Sequence, residues 1–188
     1  MIETLFLILL GVALAVSAVI LRRRLAEFYG QSPGDYEDGF PVIDITRDLT
    51  GKMICEGVIF GPMGRVTSSF AADFDITWDG DNGIMDEMFR YNDGSRQPRQ
   101  WRLTMQDNGR FEARADDVPG VARGVQSGGA VQMKYRIRLP DTSGGHVLDC
   151  VDWMYLTPDG TIINRSQFRK FGFKVAELVA TIRPVEAV

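Results

Sequence analysis

The residues best able to do chemistry cluster late in the chain. They lie in residues 147–173, VLDCVDWMYLTPDGTIINRSQFRKFGF, where Asp152, Trp153, Tyr155, Asn164, Arg165 and Lys170 sit on two runs rich in β-branched and aromatic residues. Such a set can receive a molecule with an apolar and a polar part, because rings offer contact area while carboxylate, amide and guanidinium fix orientation. Further upstream, Glu87 is in phase with Met85, Phe89 and Tyr91, and Asp117 is in phase with Phe111, Ala113 and Ala115, so both acids are candidates for an enclosed interior. Two enclosed carboxylates would serve as general acid and base, or would need Arg123 or Arg165 as counter-charge, since an unpaired buried charge costs several kcal/mol. The competing arrangement is a plain hairpin turning at Pro119-Gly120, which sets Asp116 opposite Arg123 as an exposed pair of little energetic value. Trp101, Trp153 and Tyr155 are either walls of a pocket or ordinary core filling.

Several chemistries are excluded or disfavoured by composition. His146 is the only histidine, which argues against a His-based triad and against a multi-His metal site. Asp79, Asp81, Asn82 and Gly83 faintly suggest a cation loop, but Arg90 occupies the twelfth position where a calcium loop needs a bidentate acid, so no metal site is expected. No phosphate-cradling glycine motif leads into a helix and no nucleophile elbow is present, so neither a cofactor nor a catalytic constellation is expected. A net charge of −4 and an isoelectric point near 5.1 argue against nucleic acid as a partner, which calls for a cationic face. Cys55 and Cys150 lie in β-type runs and are read as free thiols.

These side chains need a scaffold, and the patterning is that of a β protein. In residues 66–78, Phe70, Ala72, Phe74, Ile76 and Trp78 share one face while Asp73, Asp75 and Thr77 share the other. The same alternation recurs around Trp101, Leu103 and Met105, and around Val131, Met133, Tyr135 and Ile137. Further strands are expected at 53–60, 84–91, 110–117, 122–126, 147–156, 161–171 and 174–183, about ten in all. Turn signals separate them, among them Asn92-Asp93-Gly94, Asp107-Asn108-Gly109 and Thr157-Pro158-Asp159-Gly160. Regular strands joined by short turns suit an up-and-down antiparallel barrel, whose closure removes exposed edges.

Ahead of the barrel, residues 4–21 carry no charge over a length sufficient to span a bilayer as a helix, and Arg22-Arg23-Arg24 follow at once. The expected organisation is a transmembrane anchor at 1–24, a polar linker at 25–41 and the barrel at 42–188. Positive charge after the apolar run favours a membrane anchor over a cleaved leader and leaves the barrel on the cytoplasmic face; the opposite face is the alternative.

Asp-Trp-Met-Tyr-Leu at 152–156, then Asp-Gly, Ile-Asn-Arg and Lys-Phe-Gly-Phe, with Asp-Asp-Val-x-Gly-x-Ala-Arg-Gly at 116–124, resemble the uncharacterised bacterial domain of unknown function family 3833. The resemblance runs from about Phe40 to the C-terminus. It implies a closed, lipocalin-like (calycin) barrel, usually lipid-anchored, with no established activity. A lipoprotein cysteine directly after the apolar leader is missing here, so lipid anchoring does not transfer. The resulting expectation is a membrane-anchored barrel that binds or carries a small apolar or amphipathic molecule. Glu87, Trp101, Asp117, Arg123, Asp152, Trp153, Tyr155, Asn164 and Arg165 are the candidate contacts. The alternatives are an enzyme of lipid or isoprenoid modification using interior carboxylates, and a structural subunit of a membrane complex.

Overall fold

Strict alternation of apolar and polar residues allows a strand to bury one face only, and ten such strands solve that constraint together. The computed structural model describes residues 2–25 and 28–185. Strands β1 (Gly51–Phe60), β2 (Val66–Asp79), β3 (Asn82–Tyr91), β4 (Arg96–Met105), β5 (Arg110–Arg114), β6 (Ala122–Ser127), β7 (Ala130–Arg138), β8 (Val147–Leu156), β9 (Ile162–Lys170) and β10 (Phe173–Pro184) close a barrel. Each strand pairs antiparallel with its sequence neighbours and β1 pairs with β10, so the topology is a lipocalin-like up-and-down meander without a free edge. All ten expected strands are present, with ends shifted by a few residues.

The chain divides into two units, Met1–Asp35 and Tyr36–Val188. The first holds helix α1 (Ile2–Leu25), built from the uncharged run of Leu, Ala, Val and Ile. Its stretch Ile2–Arg22 is long and apolar enough to cross a membrane by length and composition, as an anchor or a signal sequence would be. Two short 3-10 turns, Phe28–Gly30 and Pro33–Tyr36, shape part of the stretch read as a linker.

In the second unit one end of the barrel is plugged. Helix α2 (Ile45–Asp48) is a single turn capped by Asp44, whose carboxylate accepts from the Thr46 amide at 2.9 Å. Ile43, Ile45 and Leu49 point into the barrel and are almost fully buried. The plug is tied to the wall where the Trp78 indole donates to the Leu49 carbonyl at 2.8 Å and the Gln126 side chain accepts from the Ile45 amide at 3.1 Å. Sequence reading did not anticipate this turn, which is too short to show a helical period. Nearby, the Phe111 ring lies against Gly124, where an added Cβ would meet it at 2.0 Å, so glycine is what lets this ring fill the core.

The opposite end is looser. Ile59, Phe89, Tyr91 and Leu178 pack against the core there but remain only partly buried. The connection between β5 and β6 folds partly over this end, with Ala115 and Val118 buried and the Arg138 amide donating to the Asp117 carbonyl at 2.7 Å.

Candidate functional site

The inward face of the barrel is apolar except for one belt near mid-height. From β3 comes Glu87, 8% exposed and directly opposite Arg99 of β4. Arg99 stands two residues before Trp101 and therefore shares its inward face; its guanidinium carbon lies 4.3 Å from the centre of the Trp101 ring. Tyr135 of β7 meets Trp101 edge-on at 5.4 Å and stands opposite Cys150 of β8. Asp117 reaches in from the β5–β6 connection and accepts from Arg99 Nε at 3.1 Å. Across the barrel, Asp152 Oδ1 accepts from Asn164 Nδ2 at 2.5 Å and from Ser166 Oγ at 2.7 Å.

Burial sets the electrostatics of this belt. It raises Glu87 to about 7, against the lowering pull of Arg99 and with further upward push from Asp117 and Asp152. It raises Asp152 too, the bonds from Ser166 and Asn164 acting the other way. Burial also pushes the Cys55 thiol up to about 12 and lifts Cys150 and Tyr135 well above their ordinary values, so both thiols and the phenol stay protonated. Neither cysteine is in a disulfide. Two buried polar atoms of the belt, Glu87 Oε2 and Arg99 Nη2, have no hydrogen-bond partner. Beside them lies a cavity of about 130 Å³ whose lining includes Glu87, Arg99, Trp101, Asp152, Asn164 and Ser166. The cavity's apolar wall continues through Phe70, Phe89, Phe168 and Leu178 toward the looser end. A larger open concavity of about 800 Å³ is flanked by Asp73, Asp75, Asp86 and Met88 and is also lined by Glu87, Arg99 and Asp117 of the belt. Its outer acids are partly engaged, Asp73 by Arg90 and Asp86 by Gln100. Among the described residues no three or more His, Cys, Asp or Glu side chains group as metal ligands.

Of the residues singled out from sequence, Glu87, Trp101, Asp117, Asp152 and Asn164 converge on this belt. Asp117 arrives from a turn rather than from the strand expected at 110–117, because β5 ends at Arg114. Four others do not converge. Trp153, Tyr155 and Arg165 point to the outer face, because each directly neighbours an inward side chain: Asp152, Met154 and Asn164 respectively. Trp153 stacks on Tyr155 at 6.0 Å and packs on Tyr36 at 5.2 Å, while Arg165 donates to Glu177 at 2.7 Å. Arg123 is likewise outward, and its partner is Glu112 at 3.6 Å, not Asp116. The register places Glu112 opposite Arg123, and Asp116, beyond the end of β5, lies instead 3.9 Å from Arg102. Sequence reading missed Arg99, Tyr135, Cys150 and Ser166 as members of the belt. The signal for Arg99 was its spacing of two from Trp101.

The chain matches the family described as "Protein of unknown function (DUF3833)" over residues 23–184. It belongs to that family. Among solved structures, the S-type phycobiliprotein lyase CPES from Guillardia theta is similar with a TM-score of 0.58 at 10% identity, covering 77% of this chain and 92% of that one. A protein with unknown function from the DUF3598 family of Nostoc punctiforme is similar with a TM-score of 0.54 at 13% identity, covering 77% of this chain. The match spans 50% of that second protein's length. At these identities the likeness is one of fold. No curated protein matches. For this family member the neighbours therefore support the barrel architecture, and any activity has to be argued from its own interior.

Proposed function

We propose that the barrel binds the polar head of a small amphipathic, lipid-like molecule at the Glu87–Arg99 belt, with the apolar tail leaving between Phe89, Phe168 and Leu178 at the looser end. The observation that carries this reading is the pair of orphaned atoms, Glu87 Oε2 and Arg99 Nη2, on two residues that line a common cavity. An unsatisfied buried polar group costs about 1–3 kcal/mol, so a ligand that offers an acceptor to Arg99 and a donor to protonated Glu87 recovers what the empty site forfeits. Size narrows the ligand. Pockets that swallow a drug-sized molecule measure roughly 300–1,000 Å³, whereas this cavity is about 130 Å³. Only a compact head fits within, which is why the tail is assigned to the mouth. Helix α1 then serves as an inner-membrane anchor, and the arginines at 22–24 favour the barrel on the cytoplasmic side.

Native mass spectrometry of the full chain, with lipid extraction, tests the reading directly. A bound amphiphile is expected, and titration with a fluorescent fatty acid should saturate. Arg99→Gln should weaken that binding by at least about tenfold, the span of a hydrogen bond to a charged group, while Arg165→Ala, on the outer face, leaves it unchanged. Absence of saturable binding to every lipid class tried ends the proposal. A reporter fused after Val188 should be active only in the cytoplasm; periplasmic phosphatase activity reverses the orientation. A second reading is favoured by one observation, the enclosed Glu87 carboxyl raised to about 7 with Asp152, also raised, on the same cavity: such a pair suits proton transfer on a bound lipid. It is distinguished by a chemically altered lipid that accumulates with the wild type and not with Glu87→Gln.

A further inference from the structure

Two turns at the looser end of the barrel carry apolar side chains that the interior does not use. The β1–β2 turn presents Met63, 86% exposed, and Val66, 55% exposed. The β9–β10 turn presents Phe171, 85% exposed, and Phe173, 69% exposed. β1 lies between β2 and β10 in the barrel, so these turns are neighbours on one rim, and β9 and β10 pair for several residues beyond the last β1–β10 partners, Phe60 and Glu177. Phe171 carries a second cost. Its φ is 51° and that of Gly172 is 80°, the two left-handed positions of a two-residue hairpin turn, where asparagine or aspartate normally precedes glycine and a bulky aromatic is disfavoured. A chain that tolerates strain to aim an aromatic ring into water has a use for that ring.

The surroundings indicate the partner. Arg65 sits beside Val66, and Arg169, Lys170 and Lys174 flank the two phenylalanines, with Lys170 Nζ 5.6 Å from the Phe171 ring. Lys174 is engaged by Glu177 and Arg169 by the Gly172 carbonyl, while Lys170 hydrogen-bonds a ring nitrogen of His146 rather than a carboxylate. The chain as a whole is acidic at −4, whereas residues 61–66 and 169–174 carry four cationic side chains and no acidic one. Convex tips with protruding rings and basic neighbours match the interfacial zone of an anionic bilayer, where rings enter the acyl boundary and lysine and arginine reach the headgroups. A stable protein partner would instead take a continuous face of about 800 Å², which two narrow turns do not offer.

We propose that the Met63–Val66 and Phe171–Phe173 tips insert together into the headgroup region of an anionic membrane and turn the looser end of the barrel toward the lipid. The inference stands on the rim alone and does not need an occupied cavity.

The test uses full-length chains with Phe171→Cys or, on the neighbouring tip, Met63→Cys, each labelled with an environment-sensitive nitrobenzoxadiazole dye, the native thiols being buried. Asp159→Cys, on the exposed β8–β9 turn at the plugged end, is the control. With vesicles of phosphatidylcholine and phosphatidylglycerol in equal parts, the labels at 171 and 63 should shift to the blue, lose several-fold of their quenching by iodide, and be quenched by shallow doxyl lipids. The control label should do none of these. With phosphatidylcholine alone the changes should shrink. Labels at both 171 and 63 that stay as accessible to iodide as the one at 159 overturn the proposal, and so does shielding that appears only when another protein is added.

Discussion

The two ends of the barrel handle apolar side chains in opposite ways. At the plugged end, Ile43, Ile45 and Leu49 are folded inward by one capped helical turn and are at most 2% exposed. At the looser end, Phe89, Tyr91 and Leu178 are left partly exposed, and Met63 and Phe171 face water outright. Apolar burial is the main favourable term in folding, so the plugged end is where this domain gains stability and the looser end is where it forgoes some. Sites that admit a ligand or meet a surface are drawn from such less stable regions. The polar belt of Glu87, Arg99 and Asp152 sits between the two, deep enough to be desolvated and reachable from one side.

The comparison breaks if the plug proves dispensable for stability. Ile45 is 1% exposed and touches the core on every side. Ile45→Ala should therefore cost about 3–4 kcal/mol, within the range for emptying a buried aliphatic site, read as a shift in the urea midpoint. The tips should keep their membrane contact, since they lie at the other end.

A smaller effect sharpens the position of the belt. Glu87 is raised from its ordinary value near 4.5 to about 7, so between those values the folded state holds a proton that the unfolded state has released. Its contribution to stability is fully present below about 4.5 and is lost as pH rises through about 7, a total of about 3 kcal/mol for one desolvated carboxyl. Glu87→Gln should accordingly raise the melting temperature at pH 8 and leave it nearly unchanged at pH 5. Asp152 is raised too and keeps a residual slope of the same sign in the variant. Thermal scans across that pH range decide it: equal melting temperatures for the two proteins at pH 8 would mean that water reaches Glu87 freely.

Much of this architecture is legible in the chain because alternation is a two-residue code and turns have their own chemistry. Phe70, Phe74 and Ile76 announce β2, and the phase of Met85 and Phe89 places Glu87 indoors before any coordinates are known. The same code explains what went astray. Asp152 and Trp153, or Asn164 and Arg165, are adjacent residues and cannot line the same face, so counting all four as pocket residues was inconsistent with the strand itself. Arg99 was passed over because Gln97-Pro98-Arg99-Gln100 does not look like a strand, although Pro98 fits where it lies, at an exposed position opposite Met88. The α2 plug is local chemistry, an Asp cap on four residues, and only tertiary packing makes it matter. Asp117 enters through a turn, and nothing periodic encodes where a turn will reach.

The smallest expected effect has the opposite sign from the others, and it tests whether the looser end is built for something other than stability. Phe171 and Gly172 occupy the two positive-φ positions of the β9–β10 turn. Asparagine is the favoured residue before glycine in that turn and tolerates the left-handed region. Phe171 is 85% exposed, so replacing it gives up almost no burial. Phe171→Asn should then stabilise the domain by about 1 kcal/mol, the scale of the strain relieved at one such position. The rim of the stabilised variant should also lose its contact with anionic vesicles, a label at position 63 regaining access to iodide, because the ring that reaches the acyl boundary is gone. A gain in melting temperature coupled to a loss of vesicle contact separates the two ends as argued; a variant that is destabilised would mean that the Phe171 ring supports the fold, and the rim would then be an extension of the core.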